Sequence, residues 1–402
     1  MTISDSRHPG AASPHPGSDS RHPGADATRP RVVFILGTGR SGSTVLDLLL
    51  GAHPDIQGVG ELCNVVRGGW IGGQYCSCGR RTPECDFWQA VREQWRQESG
   101  GADPRHYEYL LQAFEQRRLS ALRLAWTRRP DHLTLPARSG AEFRDYAEQT
   151  AALFRAIAAV SGRSIIVDSS KNPVRALALL RMDRDLGRID LRLIHLVRDV
   201  RGFAWSNRKS FRKDEAKGVQ ADTSGRAIWR SALAWVFVNL ASDYVRRGHD
   251  RRRTLLLKYE DLTSRPENAL QALAGVVGVT ADPWLEMLHA ATPLRPGHVV
   301  AGNRVRMERE IRLRPDLEWQ SRLSPADKRV CWMLAGWKAA LYGYPMRPDQ
   351  DRRSRGAAGQ EADPPRAVPS GHPIPRPHFP RSAGKPPIEE TARPPLHSHA
   401  DG

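Results

Sequence analysis

Residues Gly37, Thr38, Gly39, Arg40, Ser41, Gly42, Ser43 and Thr44 pack three glycines, four hydroxyls and a guanidinium into eight positions. Such a run suits an anion: glycines let backbone N–H groups converge on one point, and hydroxyls add donors. The spacing fits the nucleoside-triphosphate P-loop, G-x-x-x-x-G-K-[ST], at Gly37, Gly42 and Thr44. The lysine position holds Ser43. That lysine reaches the β- and γ-phosphates of a triphosphate, so its replacement argues against a kinase or ATPase. Arg40 keeps one cation inside the loop.

A cradle of this kind needs a strand to deliver it and a helix to aim at the anion. Val32 to Leu36 are apolar and rich in β-branching, which reads as a buried strand. Val45, Leu46, Leu48, Leu49 and Leu50 open an apolar helix behind the loop. The pattern recurs downstream. Ile165 to Val167 predict a second strand, ending in the polar turn Asp168-Ser-Ser-Lys-Asn-Pro173 before a helix over 174–186. Leu191 to Val197 predict another, from which Arg198 emerges, with Ser206 eight residues on, about two helical turns along. An arginine fork beside a hydroxyl makes a natural second phosphate site. Residues 254–262 predict a further strand, and helices are expected at 226–247, 266–278, 283–290 and 324–342. Strands alternating with helices imply an α/β protein, a three-layer α/β/α sandwich of P-loop type around a central parallel sheet. Its ligands would bind at the C-terminal ends of the strands. Two arginine-rich amphipathic helices, at 103–126 and 141–161, form a helical insertion (about 63–161) between the first and second strands, near enough to cap the site.

Composition trims both ends. Residues 1–30 contain a direct repeat, Ser4 to Ala11 and again Ser18 to Ala25, and residues 348–402 hold twelve of the thirty prolines. Both lack material for a core and are expected to be disordered tails. One domain over 31–347 remains. The net charge of +17 calls for an anionic ligand or partner. The arginines are scattered, however, and no zinc-finger, basic-zipper or RNA-recognition signature is present, so no specific nucleic-acid partner is assigned. No apolar run reaches the roughly 18 residues of a membrane span, and no signal-peptide segment opens the chain, so a cytoplasmic location is the expectation. Cys63, Cys76, Cys78 and Cys85 are spaced C-x12-C-x-C-x6-C, unlike the C-x2-C knuckles of zinc ribbons. They read first as structural thiols or a disulfide and second as a zinc site, and no metal is assigned. Oligomeric state has no signature in the sequence.

The loop, the lysine-bearing strand end and the Arg-x7-Ser pair together resemble the sulfotransferases that use 3′-phosphoadenosine 5′-phosphosulfate. The resemblance runs from about Val32 to Pro345 and implies that co-substrate, with no metal in the chemistry. It makes Gly37 to Thr44 the 5′-phosphosulfate loop and Arg198 with Ser206 the 3′-phosphate site. A later nucleotide-binding element falls on Gly302, Asn303 and Arg306, and Tyr259 joins the nucleotide-contacting set. Trp319 and Tyr342-Gly-Tyr344-Pro are similar to the family's C-terminal end. Within the family, Ala52-His-Pro-Asp55 followed by Gly60-Glu61 resembles tyrosylprotein and bacterial glycan or glycolipid sulfotransferases. That implies Glu61 as general base and Lys171 as the group stabilising the bridging oxygen, with Arg40 on the sulfate oxygens. Cys76-Ser-Cys-Gly79 and Cys85-Asp-Phe-Trp88 resemble an element of bacterial members. His53, His195 and His298 are the rival bases, His195 reading better as a core residue of its strand. The acceptor is a small molecule or glycan, its specificity lying in the 90–160 insertion and in residues 208–225. The other functions weighed are a P-loop phosphotransferase acting on a nucleotide or adenylylsulfate, and a non-catalytic polyanion-binding protein.

Overall fold

The computed structural model describes residues 29–115 and 140–347. The two tails and the second half of the helix expected at 103–126 lie outside the described residues. Five strands form one sheet: β1 (Arg31–Gly37), β2 (Ile56–Gly58), β3 (Ile165–Lys171), β4 (Asp190–Val197) and β5 (Thr254–Lys258). Their order is β2-β3-β1-β4-β5, and every pairing is parallel. β1 is central. Its alternate side chains enter different cores: Val32, Phe34 and Leu36 join one cluster with Tyr146, Leu179 and Leu191, while Val33 and Ile35 join another with Leu46, Leu270 and Trp284. A strand buried on both faces requires a continuous apolar run, which is why 32–36 carries no polar residue.

Helices cover both faces. They are α1 (Ser43–Gly51), α2 (Asp86–Glu98), α3 (Pro104–Glu115), α4 (Gly140–Ser161), α5 (Pro173–Arg184), α6 (Val200–Arg208) and α7 (Ile228–Arg247), followed by α8 (Tyr259–Ser264), α9 (Pro266–Val277), α10 (Asp282–His289), α11 (Glu318–Arg322) and α12 (Pro325–Leu341). The expected helices at 266–278, 283–290 and 324–342 are thus present within a residue or two. One expectation is corrected. Ile56–Gly58, a short stretch between two turns, pairs with β3 as an edge strand, so the insertion follows the second strand and not the first.

From β1 the chain passes to the edge strand β2, returns to β3 beside β1, and then crosses to β4 and β5 on the other side. That reversal opens a crevice at the C-terminal ends of β3, β1 and β4. Gly37 ends β1 in the left-handed region with φ 128°, and a Cβ there would lie 2.2 Å from the Leu196 carbonyl oxygen of β4. Only glycine lets the chain leave the sheet at this point.

Candidate active site

The loop after β1 takes the shape of an anion cradle. The Thr38 and Ser41 hydroxyls are hydrogen bonded to each other at 2.6 Å, and both residues are buried. Arg40 sits at φ 66°, unusual for a residue with a Cβ, and Gly42 at φ 94° forms the N-cap of α1 without a side-chain cap bond. The first-turn N–H groups of α1 therefore receive no side-chain acceptor, and the helix dipole adds partial positive charge there. Gly42 is pressed against Tyr259: a Cβ would lie 2.5 Å from its ring. Tyr259 thus wedges the loop from below, with its hydroxyl donating to the Arg314 carbonyl at 3.3 Å.

Two guanidiniums flank this loop. Arg40 lies 5.4 Å and Arg304 4.9 Å from the centre of the Phe211 ring, and neither pairs with a carboxylate among the described residues. Burial, with the like charge of Arg304, lowers the Arg40 pKa. Among the described residues these two neighbouring cations have no carboxylate counter-ion, so the loop carries unneutralised positive charge. Arg304 was absent from the sequence-derived set. Phe211 belongs to the 208–225 excursion, which also lines an open cleft of about 530 Å³ with Arg212, Asp222 and Thr223.

Glu61 and Lys171 meet at the next strand end. The Lys171 ammonium donates to Glu61 Oε1 at 2.5 Å and to the Ser169 carbonyl at 2.9 Å, and Glu61 Oε2 accepts from the Asn64 amide at 3.1 Å. Both side chains keep partial access to solvent, 14% for Lys171 and 19% for Glu61. Lys171 itself sits in the left-handed region, φ 64°. The turn is held from beneath: Asp168 accepts from the Ser170 N–H and hydroxyl and from Arg175, and Arg175 also pairs with Glu115, all three ionic side chains being wholly buried. This triad was invisible in the sequence, because Glu115 lies 60 positions from its partner.

The 302–306 segment closes the site. The Asn303 N–H donates to Thr44 Oγ1 at 3.2 Å. A Cβ on Gly302 would lie 3.3 Å from that oxygen and 3.5 Å from Glu61 Oε1, so this loop links the cradle to the Glu61–Lys171 pair. Arg306 is fully buried and ties the loop together, donating to the carbonyls of Gly302, at 3.3 Å, and Tyr75, at 3.3 Å. Beneath Glu61, Asp47 is buried and accepts from the Gly60 N–H at 3.1 Å, and desolvation pushes its pKa up to about 7.

Arg198 also reaches the loop. It donates to the Arg40 carbonyl at 3.1 Å, pairs with Asp316 at 2.9 Å and lies 4.7 Å from the Tyr259 ring centre, while its Nε has no partner. Ser206, on α6, is half-buried. The three histidines are engaged elsewhere. His53 packs edge-on against Trp284, His195 is bonded within the core to Asn239 at 2.9 Å, and His298 lies beside Cys85 at 3.2 Å.

The cysteines fall within the alternatives left open by their spacing. All five are free thiols. Cys63 stands apart, half-buried, with burial pushing its thiol up to about 12. Cys76, Cys78 and Cys85 instead converge with His298, their donor atoms all within 4.8 Å of one another.

The strand, loop and helix that build the cradle decide the kinship. A family model described as "Sulfotransferase family" matches residues 30–74. The matched segment spans β1, the cradle, α1, β2 and Glu61. No curated protein matches the chain. Three solved structures are similar at low identity. The sulfotransferase domain from the Synechococcus PCC 7002 olefin synthase is 20% identical, over 80% of this chain and 98% of that one, with a TM-score of 0.39. Sulfotransferase STF1 from Mycobacterium tuberculosis H37Rv is 17% identical over 66% and 72%, with a TM-score of 0.35. Sulfotransferase STF9 from Mycobacterium avium is 12% identical over 80% and 78%, with a TM-score of 0.38.

Proposed function

We propose that the chain transfers a sulfuryl group from 3′-phosphoadenosine 5′-phosphosulfate to a hydroxyl of a glycan, glycolipid or natural product. The observation that carries this reading is the continuity of the site. An uncapped helix N-terminus and two unpaired arginines adjoin a Glu–Lys pair through the loop at Gly302 and Asn303. A donor phosphosulfate fits the first part, and proton transfer belongs to the second.

In this reading the loop amides and Arg40 hold the sulfate and 5′-phosphate oxygens, with Arg304 adding charge. The acceptor oxygen forms a bond to sulfur while the bond from sulfur to the bridging oxygen breaks, its electron pair passing to the departing phosphate. The acceptor's proton goes to the Glu61 carboxylate. Lys171, touching the same carboxylate, offsets charge on the bridging oxygen. Such transfers ask chiefly for positioning and charge neutralisation, as phosphoryl transfers do. Arg198 and Ser206 take the 3′-phosphate, which then replaces the Asp316 carboxylate as the partner of Arg198. Gly302 and Asn303 close over the nucleotide, with Tyr259 and Arg306 supporting them. The 208–225 excursion and the helical insertion receive the acceptor. Five free thiols fit a reducing compartment, the cytoplasm in this reading.

The test is transfer of radiolabelled sulfate from the donor to an extract of the host's own metabolites, with release of 3′-phosphoadenosine 5′-phosphate measured in parallel. A labelled product with stoichiometric nucleotide release is expected. Nucleotide binding without turnover on any acceptor would leave only a polyanion-binding protein and reject the reading.

A further inference from the structure

Cys76, Cys78 and Cys85 come from one loop, while His298 comes from a segment 213 residues beyond Cys85. The Cys78 and Cys85 sulfurs are 3.6 Å apart, and His298 Nδ1 lies 3.8 Å from Cys76 Sγ and 3.2 Å from Cys85 Sγ. A disulfide needs its sulfurs at about 2.05 Å. A tetrahedral zinc ion with Zn–S near 2.3 Å and Zn–N near 2.0–2.1 Å sets its sulfurs about 3.8 Å apart and sulfur to nitrogen about 3.6 Å. The observed separations are close to those edges.

The surroundings are those of a ligand sphere. The Cys76 N–H donates to the Arg80 carbonyl at 2.9 Å, so the chain folds back on itself around the cysteine sulfurs. The Gly79 N–H donates to the Cys76 carbonyl at 3.0 Å, closing a tight turn around the C-x-C pair. Phe87 stacks on the His298 ring at 4.8 Å with 10° between planes, fixing the direction in which Nδ1 points. We propose that Cys76, Cys78, Cys85 and His298 bind one structural zinc ion. Three thiolates and an imidazole are the donors zinc selects, and four protein ligands leave no open position for chemistry.

The site has a definite mechanical place. Ser77 bonds to the Gly297 carbonyl and the Val299 N–H, both at 2.7 Å, and Val300 pairs with Val59 and Glu61 through backbone bonds of 3.0 Å. Zinc would therefore clamp the start of the insertion to the segment that runs into Gly302 and Asn303. It fastens the closing loop from outside the reacting centre. This inference is independent of the reaction assigned above.

The test is elemental analysis of the full-length protein after exhaustive dialysis, together with titration of native thiols. About one zinc per chain is expected, with Cys63 and Cys331 titrating separately from the three ligand thiols. Growth on Co²⁺ should give the intense visible absorption of tetrahedral thiolate cobalt. Cys78→Ser should lower the metal content severalfold. His298→Cys should retain it, as a four-thiolate site, and Cys63→Ser should leave it unchanged. If Cys78→Ser is insoluble, the cobalt spectrum and thiol titration of the unaltered protein decide. Zinc below about one-tenth per chain, iron in its place, or a Cys78–Cys85 disulfide would each overturn the proposal.

Discussion

The loop at Gly302 is held from two sides by regions built in opposite ways. On one side the cradle is a single run of eight consecutive residues, Gly37 to Thr44, that ends in the N-terminus of α1, and Thr44 Oγ1 accepts from Asn303. On the other, the cysteine corner depends on four side-chain atoms from segments far apart in the chain. A backbone site owes its polarity to chain geometry, so the residues it cannot lose are those that set dihedrals and clearances. A side-chain site fails at any one of its donor atoms. The comparison predicts that substitutions near the cradle grade in effect, whereas substitutions at the corner act all or none.

The largest graded effect belongs to the residue proposed as the general base. Glu61→Gln keeps shape and the bond from Asn64, but it removes the acceptor for a proton. Turnover should fall by roughly 10²–10⁴, the usual worth of a general base, with nucleotide affinity within a few-fold of normal. Single-turnover kinetics and calorimetric titration separate the two quantities. Near-normal turnover would remove Glu61 from the chemistry.

Below Glu61, Asp47 supplies a stability effect with a definite pH window. Burial raises its folded-state pKa to about 7 from an unfolded value near 3.8, so the folded state binds the proton more tightly. The stability linked to that proton is complete below about pH 4 and is lost as pH rises through 7. A shift of about three units corresponds to about 4 kcal/mol as an upper bound. Asp47→Asn can still accept from Gly60 and should flatten the dependence of Tm on pH between about 4 and 7. A difference between variant and parent that stays constant across that window would show that Asp47 is not the group responsible.

What was legible in the sequence follows the same division. The cradle and the Lys171 turn are contiguous segments whose composition is set by local geometry, so glycine positions and strand ends announced them, whereas Glu61 entered only through the family resemblance. The parallel sheet was legible because strands buried on both faces carry unbroken apolar runs. The corner was not. Its fourth member is 213 residues from Cys85, and the C-x-C spacing matched no familiar knuckle, so thiols or a disulfide looked the better reading. Arg304 lies inside the 302–306 element but was not among the site residues chosen from it; Asp47 and the Arg175–Asp168–Glu115 triad were missed for the same reason as the corner. Each is defined by what folding brings beside it, and nothing in its own neighbourhood of sequence marks it.

A smaller effect tests the second phosphate site. Arg198 already holds the Arg40 carbonyl and Asp316, so Arg198→Ala should loosen the loop for every nucleotide. The discriminating quantity is the ratio. Affinity for 3′-phosphoadenosine 5′-phosphate should drop a further 10- to 100-fold or so relative to adenosine 5′-phosphate, since a charge-assisted contact of about 1.5–3 kcal/mol exists only with the former. Asp316→Asn should shift the ratio the other way by removing the competing carboxylate. Equal losses for both nucleotides would deprive Arg198 of its 3′-phosphate role.

The smallest effect concerns Phe211, which has no polar group to offer an anion and yet touches both unpaired arginines of the site. A ring face attracts a cation by about 0.5–1 kcal/mol at a partly exposed position, enough to bias two long side chains toward one place but not to neutralise them. Their charge therefore remains available while their freedom is reduced, which lowers the ordering cost of binding. Phe211→Leu keeps apolar bulk and should weaken nucleotide binding only about 2- to 10-fold, with Tm nearly unchanged. Phe211→Glu supplies the missing counter-ion, so it should weaken binding far more and make the affinity less sensitive to salt. Titrations of both variants at two ionic strengths distinguish these outcomes. If Phe211→Leu bound the nucleotide as tightly as the parent, Arg40 and Arg304 would need no ring to hold them, and the cradle would depend on backbone alone.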